Sequence, residues 1–410
     1  MRLGGLSKLN ALTGGRGRSS SVPPIGVDFG VSSMKVLQIG SGAKPALVAA
    51  AELETPEDFR SDHVTRLVFQ LEALPQLIAK GGFKGNRLVA AIPAAQTLCK
   101  PLRVQRSDGI SLNALVQGAL AVQLGCDLDQ IVYRFVEVGE APGESGGSRT
   151  EVICFATSRR LVDRIIQGCR VAKLEPVGIQ NQYAANARAL KAVHADEGAS
   201  LCIDLGSGST KIVITHDNRI VFAKNIDVGG MHLDSTIARQ LDVGLAEAHA
   251  RRLQMDELVG NAAPSYRADV LADEASDAGS GFALLSAALK RDGVEADDKR
   301  STVTEVDPGG GIDLSEPLEI LTDEIGMCLR YHQSVFSDHR IEQAMFVGGE
   351  SSHTALCQHV AKAIRIPAKV VNPLACITRT GAEPTGGVDT GEPLPGWSVA
   401  LGLCVSPTDL

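Results

Sequence analysis

The first regular pattern of apolar and polar positions is the run IGVDFG at residues 25–30, which reads as a strand entering a glycine-containing turn. A second run, MKVLQIG, follows at once, so the pair predicts a β-hairpin. Alternation continues in ALVAAAEL, a helix is expected from His63 to Ala79, and RLVAAIP reads as a further strand ended by Pro93.

From Ser111, SLNALVQGALAVQLG has helical spacing with Ser111 as its cap. IVYRFVEVG and EVICFATS then read as two strands joined by the Gly/Ser/Glu loop EAPGESGGSR. Ser158 to Val171 is the next expected helix, capped by Ser158, and VAKLEPVGIQ returns to a strand. Residues 97–180 therefore form an expected subdomain set into a first lobe, 23–200.

LCIDLGSGSTKIVIT repeats strand, turn, strand, and NRIVFAKNIDV adds a third strand. Two helices follow, one with Leu233, Ile237 and Leu241 on a single face and one from Leu245 to Leu258. Pro317 opens a long helix whose apolar stripe is Leu318, Leu321, Ile325, Cys328 and Leu329. QAMFVGGESSHTALCQHVAKAI is strand, Gly-Gly turn and helix, with Ser351 or Ser352 as the expected cap; AKVVN and a helix around WSVALGLCV close the second lobe, 201–404. Hairpins and helices recur in both halves, which predicts an α/β fold of two related lobes.

Between 260 and 316 the pattern breaks into an acidic stretch, with 12 Asp/Glu against 5 Lys/Arg, expected to be a solvated, flexible insertion with a short helix near FALLSAALKR. It supplies most of the net charge of −8. That balance offers no basic face for nucleic acid. The basic, Gly/Ser-rich residues 1–22 read as a flexible tail rather than a signal peptide or anchor, and 405–410 as a short C-terminal tail. No run reaches the roughly 18 to 20 apolar residues that a spanning helix needs. The nine cysteines lie mostly in apolar runs with no CxxC pair, and the nine histidines show no HExxH spacing, so buried thiols and no zinc are expected.

The chemistry lies in a repeated spelling. GVDFGVSSMK (26–35) and CIDLGSGSTK (202–211) align at Asp28/Asp204, Gly30/Gly206, Ser33/Ser209 and Lys35/Lys211. Glycine lets a turn approach a ligand, successive turn N–H groups form an anion nest, and Ser or Thr hydroxyls add donors. An aspartate at the strand end can reach Mg²⁺ directly or through water. One such DxG turn alone reads as a tight hairpin with Asp capping its own backbone. Two in the same context point to one Mg-nucleotide held between lobes, with Lys35 and Lys211 either contributing or exposed on their strands. Gly348-Gly349 before a helix would suit a phosphate or ribose, and Gly229-Gly230 gives a similar signal of the same strength. There is no GxxxxGK[ST], no GxGxxG after the first strand and no GxSxG. No acidic residue follows RLVAAIPAAQT until Asp108, so a kinase base is missing.

Two DxG hairpins, a late Gly-Gly turn and an inserted subdomain resemble the actin, sugar-kinase and DnaK superfamily of ATP-binding proteins. Within it the chain is similar to the PilM family of actin-like type IV pilus assembly proteins over about 25–258 and 317–404. The most specific stretches are IGVDFGVSSMKVLQI, LVDRIIQGCRVAKLEPVGIQNQYAANARAL, IDVGGMHLDSTIARQLDVGLAEAHARRL and RYHQSVFSDHRIEQAMFVGGESSHTALCQHVAKAIRIPAKVVNPL. The resemblance implies an actin-like two-lobed ATPase fold with a cleft and an inserted 1C-type subdomain. It implies ATP or ADP with Mg²⁺ bound by Asp28, Gly30, Ser32, Ser33 and Lys35 on one side and by Asp204, Gly206, Ser207, Gly208, Ser209, Thr210 and Lys211 on the other. Gly348, Gly349, Glu350 and Ser351 would lie at the adenosine, Gly229 and Gly230 near phosphate or ribose, and Asp28 and Asp204 at the metal. It also implies a cytoplasmic adaptor at the inner membrane, docking the N-terminal peptide of a single-pass PilN-like membrane protein against 97–180. The alternatives are an FtsA- or MreB-like cytoskeletal ATPase and a small-molecule kinase of the same superfamily. The end WSVALGLCVSPTDL lacks the basic amphipathic tail expected of FtsA.

Overall fold

The computed structural model describes residues 22–408 except 43, 126, 143–147, 195–197 and 263–311. The expected 1–22 tail lies outside the described residues but for Val22, and the acidic insertion and its FALLSAALKR helix lie outside them but for its two ends.

The first lobe is built on β1 (Ile25–Phe29), β2 (Ser33–Ile39) and β3 (Leu47–Glu54), followed by α1 (Glu57–Arg60), α2 (His63–Lys80) and β4 (Arg87–Ile92). Every residue of β1 is buried because it is the central strand, antiparallel to β2 and parallel to β4. Helix α2 starts where Asp62 accepts hydrogen bonds from the Val64 and Thr65 amides.

The chain then leaves this sheet. β5 (Leu98–Gln105), β6 (Ile131–Pro142) and β7 (Ser148–Ser158) form a separate antiparallel sheet in the order β5-β7-β6, with α3 (Leu112–Leu124) packed on it between β5 and β6 in the chain. Leu102, Val104, Val116, Leu120, Val152 and Cys154 give it a core of its own. Ser111 caps α3 as expected, its Oγ accepting from the Ala114 amide. The independent unit ends at Ser158, short of the 180 that the pattern suggested. Helix α4 (Arg159–Val171) sets Leu161, Val162, Ile165 and Cys169 against Leu67, Leu71 and Leu74 of α2, and β8 (Glu175–Asn181) pairs with β4. Ser158 stands at the N-cap of α4, but its side chain makes no capping bond. Helix α5 (Gln182–Val193) follows.

The second lobe repeats the first. β9 (Ala199–Leu205), β10 (Thr210–His216) and β11 (Arg219–Ile226) form the meander, with Asp217-Asn218 at φ 48° and 64° as a two-residue hairpin turn. Then come α6 (Gly230–Leu241), α7 (Leu245–Ala262), α8 (Ser315–Val335), β12 (Ile341–Val347), α9 (Thr354–Ile364), β13 (Ala368–Val370) and α10 (Ser398–Cys404). The sheets run β3-β2-β1-β4-β8 and β11-β10-β9-β12-β13, the same order position for position. The repeat seen in two ten-residue strings is thus a repeat of whole five-stranded sheets.

Two helices cross between them. Tyr183, Ala187 and Leu190 of α5 pack on Cys202, Val213 and Met345 of the second sheet. Helix α10 returns to the first sheet, where Val399 and Leu403 meet Val89, Ala91 and Ala185. The expected second lobe, 201–404, therefore ends with a helix seated on the first. The crossing is close: a Cβ at Gly402 would overlap the Ala185 carbonyl, and one at Gly26 would press on the Ala400 carbonyl. Neither contact can widen without parting packed backbones. Gly402→Ala should lower stability by about 1–3 kcal/mol, the usual cost of overpacking. Gly118→Ala, at an open position in α3, should instead be neutral or gain about 0.5–1 kcal/mol; urea unfolding of both variants measures the contrast.

Candidate functional site

The two DxG hairpins face one cleft of about 460 Å³. Strand register puts Asp28 directly opposite Lys35 on β1/β2 and Asp204 directly opposite Lys211 on β9/β10. The turns match as well. A Cβ at Gly30 would meet the Ser33 carbonyl and one at Gly206 the Ser209 carbonyl, so each turn is closed tightly enough to require glycine.

Asp28, Gly30, Ser32, Ser33 and Lys35 line the cleft from the first lobe, and Asp204, Gly206, Ser207, Gly208, Ser209 and Lys211 from the second. Gly348 and Gly349 complete it beyond β12, with Gly348 at φ 95° and held against Asp204 and Leu205. Both lysines turn inward. Lys211 Nζ bonds Asp204 Oδ2 at 3.1 Å, and Lys35 Nζ lies 2.6 Å from Ser33 Oγ and 3.1 Å from Glu52 Oε1. Ser33 Oγ in turn donates to Glu52 Oε1 at 2.6 Å.

Helix α5 supplies residues that the sequence motifs did not single out. Gln182 Nε2 donates to Asp28 Oδ1 at 2.8 Å, and Asn186 Nδ2 donates to Asp204 Oδ2 at 2.7 Å. Four residues apart on one helix, the two amides share a face and reach one aspartate of each lobe. The available signal was a buried polar pair in the alanine-rich NQYAANARAL, which identifies a face and not a partner. Ser398 at the start of α10 also lines the cleft; it is 1% exposed and its Oγ has no hydrogen-bond partner among the described residues.

Other expected residues point away from the cleft. Glu350 is buried behind it, its Oε2 accepting from Arg252 Nη1 at 2.8 Å and lying 3.3 Å from His353 Nε2. Arg252 also bonds Asp234 Oδ1 at 2.6 Å, so Glu350 ties the Gly-Gly turn to α6 and α7 rather than facing an adenosine. Ser351 Oγ donates back to the Val347 carbonyl at 2.5 Å, and His353, not Ser351 or Ser352, is the N-cap of α9. Thr210 is fully buried with its hydroxyl on the Val228 carbonyl at 2.8 Å. The Gly230 amide donates to the Gly206 carbonyl at 3.1 Å and the Gly229 amide to His232 Nδ1 at 3.2 Å, which uses the donors of the pair expected to face phosphate or ribose, while the Met231 amide donates to the Ser207 carbonyl at 2.8 Å. A Cβ at Gly229 would strike those same carbonyls, so this glycine pair braces the second turn from behind.

Burial raises the pKa of Asp28 above 3.8, a shift opposed by Lys35, the Gln182 hydrogen bond and Lys211, and reinforced by Asp204. The folded protein therefore holds this proton more tightly than the unfolded chain does. Ionisation of Asp28 costs stability as pH rises from 3.8 through the raised value. In ligand-free protein, Asp28→Asn should be more stable than wild type at pH 7, with the advantage shrinking toward pH 4; urea midpoints across that range test the sign.

The family model for type IV pilus assembly protein PilM matches residues 26–274. Among solved structures, the chain is similar to one in a PilM-PilN type IV pilus biogenesis complex, with a TM-score of 0.67 at 18% identity over 94% of this chain and 99% of that one. Similarity to ethanolamine utilization protein EutJ from Carboxydothermus hydrogenoformans has a TM-score of 0.43 at 13% identity, covering 93% of this chain and 89% of that one. For MreB5 of Spiroplasma citri bound to ADP the values are 0.43 and 13%, covering 87% and 94%. These last two fall too low to bear on the site. The first shows the actin-like fold, already evident in the duplicated sheets and the helices that cross between them. Because the family match spans more than half of the chain and contains both aspartate hairpins, this protein belongs to the PilM family of type IV pilus assembly proteins.

Proposed function

We propose that the cleft binds ATP or ADP with Mg²⁺, and that the nucleotide governs docking of a PilN-like membrane protein's N-terminal peptide at the cytoplasmic face of the inner membrane. The observation that carries the first part is the matched pair, Asp28 opposite Lys35 and Asp204 opposite Lys211, on two walls of one cavity.

The residues fit a hydrated divalent cation and phosphates. Asp28 is desolvated beyond what its neighbours offset, and its Oδ2 takes no hydrogen bond from the described residues. Asp204 likewise uses only Oδ2 for Asn186 and Lys211. Ser398 adds a hydroxyl, unpaired among the described residues, in the same wall. Asp28 and Asp204 would hold the Mg²⁺, directly or through water, and the ion would offset phosphate charge. The chain's own part would be to present turn amides at Gly30–Ser33 and Ser207–Ser209, keep Lys35 and Lys211 near the phosphates, and offer Gly348-Gly349 to the nucleoside. Ligand touching both lobes favours whichever lobe arrangement it contacts best.

Partner docking is supported by the PilM-PilN complex to which the chain is similar. The inserted sheet also has β5 and β6 as edge strands, a form of surface to which an extended peptide can add. Among the described residues no helix is long and apolar enough to cross a membrane, so attachment is assigned to the partner.

Millimolar Mg-ATP should raise the melting temperature, with stabilisation of about 2.7 kcal/mol at a ligand concentration 100 times Kd. Asp204→Asn should remove the shift; a wild type with no shift would make both hairpins purely structural. Separately, an immobilised N-terminal peptide of a PilN-like protein should retain the chain, and Mg-ATP should change the retained fraction. Equal retention with and without nucleotide would sink the nucleotide dependence.

A further inference from the structure

The cations of the cleft fall into two kinds. Lys35 is paired with Glu52 and Lys211 with Asp204, each at 3.1 Å. Arg60 and Arg66, from α1 and α2, line the same cleft and form no ion pair with any carboxylate among the described residues. Arg66 is only 5% exposed. Its Nη1 donates to the Arg60 carbonyl, and Arg60 Nε donates to the Thr55 carbonyl at 2.9 Å. The acid that acts on Arg66 through space is Asp62, whose oxygens are taken by the Val64 and Thr65 amides and the Thr65 hydroxyl as the cap of α2.

A buried guanidinium without a carboxylate loses hydration and recovers little. Burial lowers its pKa accordingly, with Asp62 opposing. Helix α2 nonetheless holds the side chain in place. One turn after Arg66, Gln70 Nε2 donates to the Gly30 carbonyl at 2.8 Å and to Thr55 Oγ1 at 2.9 Å, fastening this face of α2 to the first DxG turn. Arg66 is therefore a fixed, desolvated cation on the first-lobe wall of the cleft that also carries that turn.

We propose that Arg66, with Arg60 beside it, contacts the terminal phosphate of a nucleoside triphosphate and so discriminates triphosphate from diphosphate in the cleft. The inference rests on the nucleotide reading above. Gly348-Gly349 belong to the second lobe and Arg60 and Arg66 to the first, so a ligand with its nucleoside at the glycines would turn its phosphates toward the first-lobe wall. A guanidinium offers several donors in a planar fork suited to phosphate oxygens. A diphosphate would leave this fork empty, so the α1–α2 arm would be tied across the cleft only in the triphosphate state.

Isothermal titration of wild type, Arg66→Gln and Arg66→Lys with Mg-ADP and with a Mg-bound non-hydrolysable ATP analogue tests this. Arg66→Gln should weaken the triphosphate analogue roughly tenfold, the scale of one charge-assisted contact, and leave ADP within about twofold. Arg66→Lys should restore part of the loss. Equal losses for both nucleotides would show Arg66 to be structural, and no loss would show it idle; either result overturns the proposal. Should Arg66→Gln fail to fold by circular dichroism, Arg66→Lys and Arg60→Gln carry the same comparison, each expected to lower the ratio of triphosphate to diphosphate affinity. A wild type that binds both nucleotides while no variant changes that ratio defeats this inference alone. A wild type that binds neither defeats the cleft reading and this inference together.

Discussion

Two aspartates from different lobes are buried around one cavity, and a single helix holds both. Gln182 and Asn186, one turn apart on α5, each donate an amide hydrogen to one carboxylate. Much of the architecture follows from this constraint. Helix α5 must lie between the sheets for both amides to reach, so its apolar face packs on the second sheet although its chain belongs to the first. Helix α10 makes the reciprocal crossing, and the glycine at 402 lets its backbone meet that of Ala185.

The site carries an electrostatic cost that its neighbours offset only in part. Asp204 has Lys211 and Asn186, whereas Asp28 has Gln182 within hydrogen-bond reach and Lys35 across the strand pair engaged by Glu52 and Ser33. Burial raises the pKa of Asp28, and Lys35, Gln182 and Lys211 oppose the shift only in part. Functional sites commonly keep such groups because ligand, not protein, supplies the missing partner. On the proposed reading a divalent cation relieves Asp28 while phosphate relieves Arg66, opposite charges answered by one ligand.

Behind the cavity, Arg252 binds Asp234 and Glu350 together and so fixes α6, α7 and the Gly-Gly turn relative to one another. Gly229 and Gly230 fit between this network and the second DxG turn. Glycines and acids that look like ligand contacts in the sequence are thus partly scaffolding for the turn in front of them. The same conclusion holds for Thr210, whose hydroxyl secures the Val228 carbonyl.

Local chemistry was legible in the sequence because it depends on neighbours along the chain. Apolar runs located the strands, turn residues located the hairpins, and the shared positions of Asp28 and Asp204 marked two equivalent turns. The resemblance of longer stretches carried the family. Patterns of this kind say which face is buried but not what covers it. The end of the inserted unit at Ser158 was decided by β8 pairing with β4, and the partners of Glu350 by a helix 98 residues earlier. Gln182 meets Asp28 across 154 residues, and Arg66 becomes a buried cation only when α2 closes over the first turn. The sequence by itself determined two aspartate-bearing jaws, since backbone pairing and glycine turns are local. Only the tertiary structure decided which side chains close them, because long-range packing alone brings those groups within hydrogen-bond distance.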